Sequence, residues 1–193
     1  MPIYLKNPHS ILAVLEKRAQ DIIEMRLPTK QAGDAWKAVQ EQAEQIGIRL
    51  SQAQPQRSTR RDRRDKSRPG RLGEAEASVK EHPGIDLPNL FADVPSPSLY
   101  LALDTLQDPQ NLGAIFRTAA FFGVRGILLT RDRSASLTGT VYDVASGGVE
   151  HVPFSIQTNL SRALGAAKDA GLWTLGTSEH AEKDLNTISA DRP

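Results

Sequence analysis

Two polar residues six positions apart, Asn111 and Arg117, have the types and spacing to hold a phosphorylated ligand. They fall on a predicted helix that opens at Asp108-Pro109, soon after a short apolar strand ending in Asp104. In open α/β sheets, ligands bind beyond the carboxyl ends of the strands, and a helix that begins there directs its free backbone N–H groups at them. Arginine adds a planar pair of donors that fits a phosphate. The stretch therefore predicts a phosphate-binding site.

The same stretch predicts how the pair is positioned. Asp108 can cap the helix, and Pro109 fits its first position. Arg117 lies roughly opposite the apolar stripe, and its side chain is expected to lean back over the small residues Gly113 and Ala114 toward Asn111. On spacing alone, a surface arginine beside a turn asparagine remains the alternative. The stripe expected to be buried consists of Leu112, Ile115, Phe116, Ala119 and Phe122.

The run DPQNLGAIFRTA, residues 108–119, resembles the first signature motif of the SpoU/TrmH branch of the SPOUT RNA methyltransferases. The resemblance includes the strand before the motif and the strand GVRGILLT after it, and it continues through ASGGVEHVPF, residues 145–154, to about residue 190. It implies transfer of a methyl group from S-adenosyl-L-methionine to a ribose 2′-hydroxyl of tRNA or rRNA. By this resemblance, Asn111 and Arg117 fall on the family's catalytic asparagine and arginine.

The chain departs from the family pattern at its carboxyl end. Family members continue with a strand ending in a Gly-Asn-Glu-type loop, then a segment rich in Ser, Leu and Asn before a last helix, and these motifs form the knot that holds the cofactor. Asp191-Arg192-Pro193 ends this sequence where that strand would begin. Either the sequence is a fragment or the gene product has lost its cofactor site. We favour a fragment that lacks part of this site and is inactive alone. Of the residues present, Gly176 and Thr177 match the family's pocket wall weakly.

The resemblance also implies partners. Ribosomal RNA, modified on a guanosine ribose, is favoured over tRNA because the two-domain layout resembles the rRNA guanosine-ribose enzymes. A homodimer is implied for the full-length protein. No apolar run approaches the ~20 residues of a membrane helix, so we expect no membrane association and a cytoplasmic location. The chain has no cysteine, and its four histidines lack metal-ligand spacing, so no metal site is predicted.

A basic segment divides the chain. Between Gln56 and Leu72 there are eight basic and two acidic residues, a net charge of +6, whereas the whole chain carries +1. With almost nothing apolar, this segment is expected to be a disordered linker. Three roles are open for this segment: a solvated spacer, a targeting signal, or an arm that binds RNA phosphates by counterion release. The candidate RNA-binding residues are Arg57, Arg60, Arg61, Arg63, Arg64, Lys66, Arg68 and Arg71.

The predicted fold is α/β. Residues 1–54 with 73–94 are expected to form a small α/β RNA substrate-binding domain, residues 55–72 the basic insertion, and residues 95–193 the incomplete SpoU-type catalytic domain with a parallel sheet. Helices are predicted at 8–18 and 33–46 and strands at 21–27, 48–50 and 74–80. In the second half, strands are predicted at 98–103, 124–130, 150–156 and 172–176, with helices at 109–122, 136–146 and 159–170. Strands separated by helices imply parallel pairing.

Two other interpretations were weighed. A non-catalytic RNA-binding protein would use the basic arm and the small domain, with the rest as scaffold, and a downstream Gly-Asn-Glu loop in the gene would favour the enzyme instead. A nucleotide-binding oxidoreductase is disfavoured, because Gln107-Asp108-Pro109 stands where a Gly-rich turn is needed. Glu150 and His151 could form an acid/base pair, but a strand start beside a helix end is the favoured explanation.

Overall fold

The computed structural model describes residues 1–27, 33–52 and 75–188. The strands are β1 (Pro2–Leu5), β2 (Ile22–Leu27), β3 (Leu50–Gln52), β4 (Glu76–Lys80), β5 (Tyr100–Leu103), β6 (Gly126–Thr130) and β7 (Phe154–Gln157). The helices are α1 (Pro8–Arg18), α2 (Asp34–Gln45), α3 (Leu87–Leu90), α4 (Pro109–Phe121), α5 (Gly139–Ala145), α6 (Gly148–His151) and α7 (Leu160–Asp169), with short 3-10 turns at Ala19–Asp21 and Leu185–Thr187. The predicted mixture of helices and strands is confirmed.

The amino-terminal residues build a four-stranded sheet in the order β1-β4-β2-β3. Strand β4 runs antiparallel to both neighbours, whereas β2 and β3 are parallel. Helix α1 begins where the sequence predicts, because Pro8 occupies the first turn and the Asn7 side chain accepts a hydrogen bond from the His9 N–H. The buried side chains include Leu5, Ile11, Val14, Met25, Val39 and Val79.

The second sheet contains β5, β6 and β7, paired in parallel in that order. The registers align Leu103 with Leu129 and Thr130 with Gln157, so all three strands end at one edge. The prediction of a parallel sheet in this half is confirmed. Helix α7 covers part of the sheet through a cluster of buried residues, namely Leu90, Phe91, Leu128, Ala163, Ala167 and Leu172.

The chain divides into two compact units that are not two consecutive segments. One unit comprises residues 1–82, 109–118 and 136–151, and the other comprises 83–108, 119–135 and 152–193. Segment 136–151 is bound to the rest of the first unit through polar contacts with α1 and with the two residues that connect β1 to α1. The backbone N–H groups of Lys6 and Asn7 both donate to Asp143 Oδ1 at 2.9 Å, and Ser10 Oγ donates to the Tyr142 carbonyl at 2.6 Å. The functional division near residue 95 stays a prediction.

A buried ion pair completes this junction. Arg18 Nε lies 2.8 Å from Glu150 Oε2, and Arg18 Nη2 lies 2.9 Å from Glu150 Oε1, so the guanidinium binds both carboxylate oxygens. Its Nη1 donates to the Lys80 carbonyl at 2.7 Å. Burial lowers the pKa of Arg18, but the hydrogen bonds and attraction to Glu150 outweigh that effect and raise it overall. The guanidinium binds the carboxylate through two hydrogen bonds. Removal of either residue therefore leaves the other as an uncompensated buried charge.

Several predicted elements need correction. The strand predicted at 172–176 is wrong: residues 172–178 have no regular structure, and Trp173 and Leu175 are 68% and 55% exposed. Alternating apolar residues make a strand only where a neighbouring strand takes their hydrogen bonds, and the described residues supply none there. The strand predicted at 150–156 begins at Phe154, because Gly148–His151 is helical. Strand β1 and helix α3 were not predicted.

In the part of the chain that the structure describes, no helix combines the length and apolar character needed to cross a membrane. The basic segment, including all eight candidate RNA-binding residues, lies outside the described residues.

We expect Arg18→Ala to lower the free energy of unfolding by about 3–5 kcal/mol, because Glu150 would stay buried without its partner. Urea unfolding followed by circular dichroism measures this loss. The matched control is Arg125→Ala, which removes an exposed arginine 3.6 Å from Asp93 and should cost about 1 kcal/mol or less. Equal losses for the two variants would contradict the assignment of Arg18–Glu150 as the stabilising pair.

Candidate active site

The candidate pair lies on α4, and both side chains reach solvent. Asn111 and Arg117 are exposed. Six residues of helix separate their Cα atoms by about 9 Å along the axis. For neither side chain does the structure record a hydrogen bond or ion pair with any other described residue. The structure records no hydrogen bond between the guanidinium and Asn111, their predicted proximity stays a prediction, and Arg117 remains available to a ligand.

The buried stripe of α4 is shorter than predicted. Leu112, Phe116 and Ala119 are buried, and Ile115 is half-buried. Phe122, which was expected inside, is 73% exposed. The helix ends at Phe121, and Gly123 follows with a φ of +69°, so Phe122 no longer follows the helical periodicity. The stripe fixes which face of α4 is turned inward, and this leaves Arg117 on the outside.

Gly113 has a different role from the one predicted. A Cβ at Gly113 would lie 2.7 Å from the Val141 carbonyl oxygen and 2.7 Å from Val144 Cβ, both on α5. Gly113 itself is buried. The residue is small because α4 and α5 approach closely at this point, and not in order to clear a path for Arg117.

A second close approach supports the backbone of Arg117 itself. A Cβ at Gly148, the first residue of α6, would lie 2.6 Å from the Phe116 carbonyl oxygen and 2.9 Å from the Arg117 nitrogen. Ser146 and Gly147 precede it in left-handed conformations, with φ of +49° and +95°. This Ser-Gly-Gly run follows α5 and opens α6. Its glycine lets α6 pack directly against the backbone of α4.

Glu150 and His151 are not an acid/base pair, and the expectation of a strand start beside a helix end was also wrong. Both residues belong to α6. Glu150 is buried and binds Arg18, whereas His151 is exposed. Both carboxylate oxygens of Glu150 accept hydrogen bonds from the Arg18 guanidinium, so they are not directed at His151.

The residues that sequence reasoning missed lie in the loops after β5 and β6. The Thr105 N–H donates to Thr130 Oγ1 at 3.2 Å, and Thr130 Oγ1 lies 2.5 Å from Ser134 Oγ. The Ala135 N–H donates to the Leu106 carbonyl at 2.7 Å. In the sequence, this network is marked only by hydroxyl residues at or shortly after the ends of two apolar strands. Such residues are common in loops, so the pattern is not specific.

Gly176 and Thr177, the predicted cofactor-wall residues, lie in the irregular segment after α7 and are exposed. A Cβ at Gly176 would meet no atom within 4 Å. The described residues around them therefore build no enclosure in which an adenosyl group could be held. The described residues around Gly176 and Thr177 do not, by themselves, fit the cofactor.

A sequence profile described as the SpoU rRNA Methylase family matches residues 98–193. The chain is 33% identical over 190 residues to the 23S rRNA (guanosine-2'-O-)-methyltransferase RlmB of Nitrosomonas europaea, covering 98% of this chain and 72% of that protein. This chain belongs to the SpoU rRNA methylase family. RlmB of Neisseria meningitidis serogroup B is 34% identical over 184 residues, covering 95% of this chain and 71% of that protein.

Solved structures agree on the fold. The SpoU methyltransferase AviRb of Streptomyces viridochromogenes aligns over 100% of this chain and 69% of its own, with a TM-score of 0.73 and 18% identity. An rRNA methyltransferase of Sinorhizobium meliloti aligns over 97% of this chain and 66% of its own, with a TM-score of 0.65 and 19% identity. The chain thus spans about 70% of the length of the curated relatives and 66% to 69% of these two structures.

We expect Gly113→Ala to lower the free energy of unfolding by about 1–3 kcal/mol, because the added methyl group would overlap α5. The control is Gly165→Ala on α7, where an added Cβ meets no atom within 4 Å. That change should be neutral or stabilising by about 0.5–1 kcal/mol, since alanine suits a helix interior better than glycine. Chemical denaturation of both variants measures the difference. Equal effects would mean that the close approach of α4 and α5 does not constrain this position.

Proposed function

We propose that this chain belongs to an enzyme that methylates a ribose 2′-hydroxyl of ribosomal RNA. The observation that carries the proposal is the exposed Arg117, which is uncommitted to any other described residue and lies on a helix within the residues that match the SpoU family profile. The RlmB relatives, named as guanosine-2'-O-methyltransferases of 23S rRNA, support a guanosine of that RNA as the target.

Arg117 would bind the phosphate next to the target ribose. Arginine stays protonated in proteins, so it is a poor general base but a permanent positive charge with a planar pair of donors. Two parallel hydrogen bonds from the guanidinium fix both the position and the rotation of the phosphate. This orients the 2′-hydroxyl of the neighbouring ribose. Helix α4 contains no acidic residue that would compete for the guanidinium. Asn111, one turn or more closer to the helix start, would hydrogen-bond the ribose.

S-adenosyl-L-methionine would be the methyl donor, since AviRb of Streptomyces viridochromogenes and an rRNA methyltransferase of Sinorhizobium meliloti both have structures with bound AdoMet. Because Gly176 and Thr177 are exposed and unenclosed, we propose that the described residues do not hold this cofactor alone. The 193-residue chain is then inactive by itself, and the complete gene product carries the activity. We further propose that the enzyme is a homodimer located in the cytoplasm. It would act on rRNA in preference to tRNA.

We expect Arg117→Ala in the complete gene product to reduce tritiated-methyl transfer to rRNA at least about 100-fold, because the phosphate would lose its bidentate partner. Arg117→Lys keeps the charge but not the paired donors, so it should recover only a small part of the rate. Arg125→Ala, an exposed arginine after the same helix, serves as the control and should stay within threefold of wild type.

Near-normal turnover of Arg117→Ala with an intact circular dichroism spectrum would contradict the assigned role. If the complete wild-type gene product binds RNA but transfers no methyl group, that result would instead support the alternative of a non-catalytic RNA-binding protein.

The basic segment would add sequence-independent affinity for the RNA backbone. We expect replacement of its eight arginines and lysines by glutamine to weaken RNA binding and to reduce the slope of log K against log salt by up to about 6. Fluorescence anisotropy at several salt concentrations measures this slope. A control variant in which the six other uncharged residues between Gln56 and Leu72 are exchanged for glutamine should leave the slope unchanged; these are Ser58, Thr59, Ser67, Pro69, Gly70 and Leu72. An unaltered slope in the charge variant would show that the segment is a spacer.

A further inference from the structure

The loops that follow β5 and β6 are joined by side-chain hydroxyl groups and not only by backbone. Thr130, the last residue of β6, accepts a hydrogen bond from the Thr105 N–H through its Oγ1 and pairs with Ser134 Oγ. Ser134 Oγ in turn lies 3.4 Å from the Asp132 carbonyl. A single direction of donation satisfies the series: Thr105 N–H to Thr130, Thr130 O–H to Ser134, and Ser134 O–H to Asp132. The half-buried Thr130 hydroxyl is therefore the link between the two loops.

The backbone on both sides of this link is strained. Thr105 has a φ of +51° and Arg133 a φ of +54°. For a β-branched residue such as threonine, a positive φ is an outlier that costs on the order of 1–2 kcal/mol. Such a conformation persists only where surrounding contacts hold it. The backbone N–H of Thr105 itself donates to Thr130 Oγ1, so this bond directly restrains Thr105 in its left-handed conformation.

Thr105 lies four residues before Pro109, where α4 begins. The backbone path through residues 105–108 sets the entry to the turn that carries Asn111. The Ala135 N–H, bonded to the Leu106 carbonyl, fixes this path at a second point. Loss of the Thr130 bond would let Thr105 relax toward a common φ, and that change would be transmitted along the chain to the start of the helix.

We propose that Thr130 is a positioning residue for the α4 site: its hydroxyl holds Thr105 in a left-handed conformation and so fixes the entry to the helix that carries Asn111 and Arg117. This inference rests on the proposed function for its catalytic consequence only, because the conformational part concerns residues of this chain alone. Thr130 touches no substrate in the proposal and acts through the loop.

The test compares Thr130→Val, which keeps the shape and removes the hydroxyl, with Thr130→Ser, which keeps the hydroxyl. Amide hydrogen exchange and 15N relaxation of the 193-residue chain report on Thr105 and on the helix start. We expect the valine variant to speed exchange of the Thr105 amide about tenfold and to increase motion at Asn111, with both restored in the serine variant. Thr158→Val, an exposed threonine after the neighbouring strand β7, should change neither.

The catalytic consequence is measured in the complete gene product. Thr130→Val should lower kcat about 10- to 100-fold with KM for RNA nearly unchanged, and Thr130→Ser should restore it to within threefold. Faster exchange at Thr105 with unchanged kcat would overturn the positioning role, as would unchanged exchange. If the wild-type protein transfers no methyl group, the proposed function fails, and exchange and relaxation at Thr105 and Asn111 still decide whether Thr130 fixes the helix entry.

Discussion

The close packing of α4 against α5 and α6 is the constraint on which the candidate site depends. Two glycines make it possible: Gly113 lies on α4 against Val141 and Val144, and Gly148 lies on α6 against the backbone of Phe116 and Arg117. Protein interiors are packed as densely as organic crystals, so one methyl group at either position would displace a helix. Because the inward face of α4 is fixed in this way, Arg117 is held on the outer face without a side-chain partner among the residues that the structure describes.

Polar contacts hold the helices that support α4. Segment 136–151 is tied to the amino-terminal residues by Asp143, which accepts two backbone N–H bonds, and by the Arg18–Glu150 pair. Burial raises the pKa of Asp143, while the N–H bonds from Asn7 and Lys6 counteract this. Buried polar groups with satisfied partners define a unique arrangement better than apolar contacts do, since a shifted register leaves them unpaired. The amino-terminal unit therefore stabilises the helix pair that orients Arg117.

Local patterns predicted much of this structure. The capping asparagine before Pro8, the helix opening at Pro109 and the apolar runs of β5 and β6 each depend on neighbouring residues alone, and their elements were predicted to within a few residues. Longer-range features were not. The strand expected at 172–176 failed because strand formation requires a partner strand. The roles of Gly113 and Gly148 depend on contacts with residues 28 or more positions away in sequence. Nothing near Glu150 in the sequence signals Arg18.

The candidate residues divide along the same line. Asn111 and Arg117 could be found from sequence because a helix determines its own periodicity, and a side chain opposite the buried stripe must face outward. The residues that support this pair could not be found from the sequence, because Thr130 and Thr105 meet only when two parallel strands end at the same edge of a sheet. A charged side chain that binds a phosphate must remain unpaired in the free protein. Its position must therefore be fixed by the backbone that carries it. The glycine contacts in the middle of α4 and the threonine link before its start are two independent ways of supplying that precision.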